Sequence, residues 1–391
     1  MNARKVVETS PAPKQEAGRK EAIMQYQCIS GDDHMDLSYI PAHLWQERVP
    51  ARFKDQAPRV EETAGGRRWV CEGKPWAFGD YGTQRRGVMS GAIARAGLEE
   101  EPEPWVFRPS TAKYRLEDMD RDRVDAQVIY GPPLPLTFKD PELRIVCLEA
   151  YNTWMGEFCS ASPQRLLGIA LLPMHDPAAA VNELKRVAKL GGLRGALFGV
   201  FDAVKPVFHE DWEPLWAVAA EAGIPISFHL GGGIRSARIG DPSRGQLAAF
   251  VSAVPMQLDE ALCEIIFCGA LDTHRKLKVV IAEAGIGWVP YLLYRMDHEY
   301  DKAFRHSVKL SGKPSELFHR QMSVTFQEDD IGLKLLDDLG EDNVIWASDY
   351  PHFDAIWPHS RQYIDEHMGF LSPTARKKVT CDNAVRLYNL S

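Results

Sequence analysis

The 391-residue chain contains no stretch approaching the roughly 18 to 20 consecutive apolar residues that a membrane span needs, and its N-terminus lacks an apolar signal-peptide core. A cytoplasmic enzyme or binding protein is therefore expected. The seven cysteines (Cys28, Cys71, Cys147, Cys159, Cys263, Cys268 and Cys381) are odd in number and scattered, with no C-x-x-C pair. That spacing argues against a disulfide framework and against a thiolate zinc site, and leaves them as small buried apolar residues. Basic runs are also missing, and 46 Lys+Arg against 54 Asp+Glu give a formal charge of -8, so no phosphate-tracking surface for nucleic acid is present. No G-x-G-x-x-G follows the first apolar stretch, which makes a doubly wound dinucleotide-binding sheet only a fallback.

What is present is a chain with 45% hydrophobic residues, enough for a sizeable core. Residues 1–24 are charged and without periodicity, and predict a flexible tail or an arm reaching onto a partner subunit. Residues 25–391 read as a single domain. Within it, residues 35–115 are rich in Pro, Gly, Trp and Arg, and "KPWAFGDYGTQRRGVMSGAIARAGLEEEPEPW" reads as a long insertion near the pocket rather than a second core.

Beyond Arg115 the pattern becomes regular. Short apolar runs, AQVIY (126–130), LLGIALL (166–172), LRGALFG (193–199), IPISFHL (224–230), LKVVIAE (277–283), MSVTFQ (322–327) and NVIWASD (343–349), alternate with amphipathic helical stretches. With QCIS at the start they make eight strands. Asp176-Pro177 reads as a helix start, and Gly191 and Gly223 as helix ends. Nearly continuous apolar strands alternating with helices predict a parallel sheet covered by helices, and eight such units predict a (β/α)8 barrel with its chemistry at the strand C-terminal ends.

The polar residues closing those strands are then the candidate site. In "SGDDH", Asp32 and His34 are two apart and share one face of an extended strand, while Asp33 points away. His229 closes the fifth strand and Asp349 the eighth. Two imidazoles and two carboxylates make a mixed N/O site suited to one divalent ion, with zinc the first expectation and manganese or iron the alternatives. No lysine closes the fourth strand, so a carbamylated-lysine bridge between two ions is not expected. Glu283, closing the sixth strand, reads as a general acid or base, or a further ligand. His175 either points into the site or begins the next helix, and His352 orients Asp349 or a substrate. Arg235 and Arg238 in "HLGGGIRSARIG" suit a clamp on a substrate carboxylate. Trp288, with Trp76, Trp105 and Trp357, supplies aromatic surface that favours an aromatic or hydrophobic substrate.

Taken in order, "SGDDH", "LEDMDRDRVDAQVIYG", "ISFHLGG", "EAGIGWVPYLLYRMD", "WASDYPH" and "DNAVRLYNL" resemble the amidohydrolase superfamily over most of residues 26–390. The likeness is to the amidohydrolase-related branch that includes the aminocarboxymuconate semialdehyde and resorcylate decarboxylases. It implies Asp32, His34, His229 and Asp349 as ligands of one ion, a small-molecule substrate, and a homodimer or larger assembly. The branch's decarboxylases place a histidine where this chain has Glu283. The expected reaction is therefore hydrolysis by a metal-activated water on a small aromatic carbonyl or carboxylate compound. Non-oxidative decarboxylation of a hydroxybenzoate-like acid, metal-dependent cyclodehydration and a non-catalytic binding barrel are the alternatives.

Overall fold

Eight strands, each followed by helix, lie side by side in the sheet order β1-β5-β6-β7-β8-β9-β10-β11, all paired parallel. They are β1 (Ile29–His34), β5 (Ala126–Tyr130), β6 (Leu166–Leu171), β7 (Leu193–Leu197), β8 (Ile226–His229), β9 (Val279–Ala282), β10 (Met322–Phe326) and β11 (Val344–Trp346). The computed structural model describes residues 24–64, 66–80, 91–99, 101–132, 136–231 and 243–390. All but the last residue of the expected tail, together with Arg235 and Arg238, lie outside the described residues. Among the described residues no helix is long and apolar enough to cross a membrane.

The two-residue period of an extended chain sorts each strand between two environments. On β8, Ile226 and Phe228 join the apolar layer under the helices, with Leu215, Trp216, Leu262 and Ile265. Ser227 and His229 face the opposite way, where the Ser227 hydroxyl meets that of Tyr130 at 2.9 Å. The helices begin where their chemistry dictates. Asp140 and Asp176 each accept from two backbone N–H groups at the start of helices Pro141–Cys159 and Pro177–Val187, with Pro at the first position. Gly223, at φ +66°, ends helix Glu213–Ala222 as expected.

Closure comes from the residues just past β11. The Asp349 N–H donates to the Asp32 carbonyl at 3.1 Å, the His34 N–H donates to the Tyr350 carbonyl at 2.7 Å, and the Ser348 N–H donates to the Ser30 hydroxyl at 2.8 Å. Gly31 lies in this seam. A Cβ there would collide with Ile345 Cγ2, so β1 and β11 can approach only because the position is glycine.

Between β1 and β5 the chain builds a separate antiparallel sheet, β2 (Arg59–Thr63), β3 (Gly66–Cys71) and β4 (Lys74–Asp80). Reading the sequence does not predict these strands, because Gly66, Pro75 and Gly79 dilute their β character. Trp45, Trp69 and Trp76 pack edge to face, with ring centroids 5.1 to 6.3 Å apart. Their indole N–H groups donate to the carbonyls of Cys147, Leu37 and Thr137, which fastens the segment to the barrel's first half. These residues share one apolar cluster with Ile29, Val128 and Ile169, so this part of the chain extends the barrel core.

Gly31→Ala is expected to lower stability by about 1–3 kcal/mol, the usual cost of inserting a methyl group into a packed seam. Urea denaturation followed by tryptophan fluorescence measures it, and an unchanged midpoint would show that the seam is looser than described.

Candidate metal centre

Asp32 and His34 stand at the end of β1, His229 at the end of β8, Glu283 one residue past β9 and Asp349 three residues past β11. The pleat puts Asp32 and His34 on the same side, and the barrel brings the other three to meet them. His34 Nε2 lies 3.6 Å from Asp32 Oδ1, 3.2 Å from Glu283 Oε2 and 3.2 Å from Asp349 Oδ1. His229 Nε2 lies 3.4 Å from Asp32 Oδ1 and 3.0 Å from Glu283 Oε2. Donor atoms of Asp32, His34, His229 and Glu283 all fall within 4.8 Å of one another, as do those of His34, Glu283, Asp349 and His352. The three residues Asp32, His34 and His229 thus share a site with Glu283, and Asp349 adjoins it through His34 and Glu283.

The converging atoms are those left unused by protein hydrogen bonds. Asp32 Oδ1, His34 Nε2, His229 Nε2, Glu283 Oε2 and Asp349 Oδ1 are buried without a hydrogen-bond partner. Buried polar atoms are ordinarily paired, so five residues whose unpaired atoms gather in two overlapping groups make a candidate cation site. Their remaining atoms are held in place. His229 Nδ1 donates to its neighbour's carbonyl, Leu230 O, at 2.6 Å, leaving Nε2 to face the cluster. The Thr325 hydroxyl on β10 donates to Asp32 Oδ2 and accepts the Glu283 backbone N–H, both at 2.8 Å. Nothing in its sequence context singles out Thr325, because a threonine inside an apolar strand looks like ordinary β-propensity.

His352 holds Asp349 from behind, its Nδ1 2.9 and 3.0 Å from the two carboxylate oxygens and its Nε2 3.3 Å from Asp36 Oδ1. It also stacks on His34, centroid to centroid at 4.0 Å. Asp36 extends the reach of "SGDDH" by two residues, and only the fold reveals it. Arg115 supports His34 from below: its Nη1 donates to the His34 carbonyl at 2.8 Å and its Nε to Gln127 Oε1 at 2.7 Å. Asp33 points away as expected. Its Oδ1 accepts from the Ser348 hydroxyl and the Tyr350 N–H, and burial pushes its carboxyl up to about 7.

The backbone pays at two of these positions. Glu283 and Asp349 are non-glycine residues at φ +50° and +61°, a left-handed conformation that costs about 1–2 kcal/mol per residue. Both hold carboxylates at the cluster.

Electrostatics point to a cation. Burial alone would push the His34 imidazole down, yet contact with Asp349 and Glu283 outweighs it and raises the group to about 9. His229 is likewise raised well above the usual imidazole range, burial being overcome by Asp32 and Glu283. Three carboxylates facing two imidazoles thus draw protons onto the imidazoles, and a divalent ion would replace those protons with a compensating charge of its own.

Neither His175 nor Trp288 contributes an atom to the cluster of donors. His175 closes the loop after β6 outside the cluster, its imidazole pushed down by burial and by the charge of Arg144. Trp288 donates from Nε1 to the Ala284 carbonyl at 2.6 Å and packs half-buried against the apolar layer under the helices.

An eight-stranded parallel barrel with imidazoles and carboxylates at the strand ends defines the class. The chain belongs to the amidohydrolase family, whose model matches residues 42–390. Gamma-resorcylate decarboxylase of Rhizobium radiobacter is 25% identical over 289 residues, covering 71% of this chain and 86% of that protein. Among solved structures, an amidohydrolase of Mycobacterium avium subsp. paratuberculosis K-10 superposes with a TM-score of 0.71 at 20% identity, covering 93% of this chain and all of that one. A 5-carboxyvanillate decarboxylase of Novosphingobium aromaticivorans DSM 12444, solved with bound manganese and 3-methoxy-4-hydroxy-5-nitrobenzoic acid, superposes with a TM-score of 0.64 at 18% identity, covering 93% and 97%. These likenesses to solved structures bear on the fold.

A proton-dependent metal site has a measurable signature. Because the His34 pKa is raised from 6.5 to about 9, the stability it contributes to the metal-free protein is full below pH 6.5 and lost as pH rises through about 9. Metal binding needs the same imidazole deprotonated and strengthens over that range. The melting temperature of chelator-treated protein is expected to fall from pH 6.5 to pH 9, and its gap to the metal-loaded protein to widen. A gap independent of pH would remove His34 from the ligand set.

Proposed function

We propose that the protein is a metal-dependent carboxy-lyase that removes CO2 from a hydroxybenzoate-like aromatic acid. The observation that carries this is the cluster of unpaired buried donors at the barrel mouth, in a chain whose matched relatives include resorcylate and carboxyvanillate decarboxylases. Those relatives favour decarboxylation over the hydrolysis that the sequence reading placed first, despite Glu283 standing where a histidine was expected.

Asp32, His34 and His229 would hold the ion in either arrangement of the acidic groups, and exposure separates the remaining two. Glu283 keeps 21% of its side chain accessible against 2% for Asp349. Asp349, buried and braced by His352, is the fourth ligand; Glu283 faces the substrate. When bound, a divalent ion such as zinc or manganese would supply Lewis-acid stabilisation of negative charge on the substrate. Glu283, whose carboxyl is held well below the usual range because His229 and His34 outweigh its burial, would take a proton from water and pass it to the ring carbon as the bond from that carbon to the carboxyl group breaks and CO2 leaves. The assembly expected from the family likeness is a homodimer or larger.

Release of CO2 from a panel of hydroxybenzoates, read with metal content by plasma mass spectrometry, tests both parts. Glu283→Gln is expected to keep about one ion per chain and lose at least about tenfold in rate, whereas Asp349→Asn loses the ion. The opposite pattern would exchange the two roles. Hydrolysis of aryl amides or esters with no CO2 release from any acid would reject decarboxylation.

A further inference from the structure

Beside the metal centre, at the C-terminal ends of β5 to β8, lies a pocket with a mostly apolar wall that includes Leu136, Leu148, Leu171, Leu197 and Phe201. Among the described residues its charged or ionisable side chains are His229, from the metal cluster, and a second pair, Arg144 and Asp202. Arg144 projects from helix Pro141–Cys159, and Asp202 from the turn after β7, where its N–H donates to the Gly199 carbonyl at 3.0 Å and the Val204 N–H donates to Met174 at 2.9 Å.

Arg144 is 9% exposed and its Nη2 donates to Asp202 Oδ2. Its Nε–H is buried with no partner among the described residues. Neither residue bonds any member of the metal cluster. A guanidinium has five N–H donors in a fixed fork, and leaving one of them buried and unpaired is costly unless a ligand completes it. Asp202 neutralises the charge, so the pair attracts no net anion. A second carboxylate would meet the like charge of Asp202, and an apolar ring edge would leave Nε–H unsatisfied. A hydroxyl does neither: its oxygen accepts from Arg144 while its proton is donated to Asp202.

We propose that Arg144 and Asp202 form a specificity subsite that reads a ring hydroxyl remote from the reacting carboxyl group, making the preferred substrate an aromatic acid with a second, distal hydroxyl. This rests on the carboxy-lyase reading for the orientation of the ring, with the carboxylate at the metal centre. None of the sequence motifs marks the subsite, because Arg144 sits within a long helix and Asp202 in a turn.

Calorimetric titration of metal-loaded protein with 2-hydroxybenzoate, 2,4-dihydroxybenzoate and 2,5-dihydroxybenzoate tests the subsite without requiring turnover. At least one dihydroxy acid is expected to bind about tenfold or more tighter than 2-hydroxybenzoate, the size of a hydrogen bond to charged partners. In Arg144→Lys, which keeps the charge and loses the fork, and in Asp202→Asn, that preference should shrink to within about threefold while affinity for 2-hydroxybenzoate stays the same. Equal affinity for the three acids in the wild-type protein overturns the subsite, as does a preference that survives in both variants. A clear preference with no CO2 released would leave the subsite standing and remove decarboxylation; CO2 release with no preference would do the reverse.

Discussion

Three carboxylates, from Asp32, Glu283 and Asp349, meet two imidazoles at the mouth of the barrel, and four of these five side chains are at most 2% exposed. Concentrating negative charge away from water is unfavourable without a compensating cation, so this cluster sets the terms for what surrounds it. Asp32 is steadied by Thr325, Asp349 by His352, and His34 by a carbonyl contact to Arg115. Asp33, turned outward, ties the same turn of chain to Ser348 and Tyr350. Without such supports the carboxylates would rotate towards solvent or towards one another.

The barrel serves this arrangement by geometry more than by flexibility. Strand pleating sends Asp32, His34 and His229 inward while their neighbours build the apolar layer beneath the helices. Left-handed backbone at Glu283 and Asp349 turns those carboxylates back over the strand ends. Such conformations persist only where the surroundings over-determine them. Here the Thr325 bond to the Glu283 N–H and the Asp349 N–H bond to β1 provide that constraint.

The strands were legible because Val, Ile, Leu and Phe follow one another between helix caps such as Asp176-Pro177, and the strand-end residues were legible because polar groups interrupt those runs. The sheet β2–β4 was not, since Pro75 and the glycines around it mimic loop composition while three tryptophans supply the order from a distance. Supporting residues escaped for a related reason. Thr325, Asp36 and Arg115 acquire their roles only from partners 293, 316 and 81 positions away. His175 shows the converse: its place at a strand end suggested chemistry, and the fold puts it beside Arg144 and outside the cluster.

The seam between β1 and the end of β11 joins residues about 318 positions apart, and it is made by the same peptide units that carry Asp32, His34 and Asp349. The ring of strands and the cluster of donor atoms therefore close together: the bonds that join β1 to the turn after β11 are the ones that bring the Asp349 carboxylate to His34. Damage to this seam would reach the cluster before it reached the helices outside, because the two share the same peptide units.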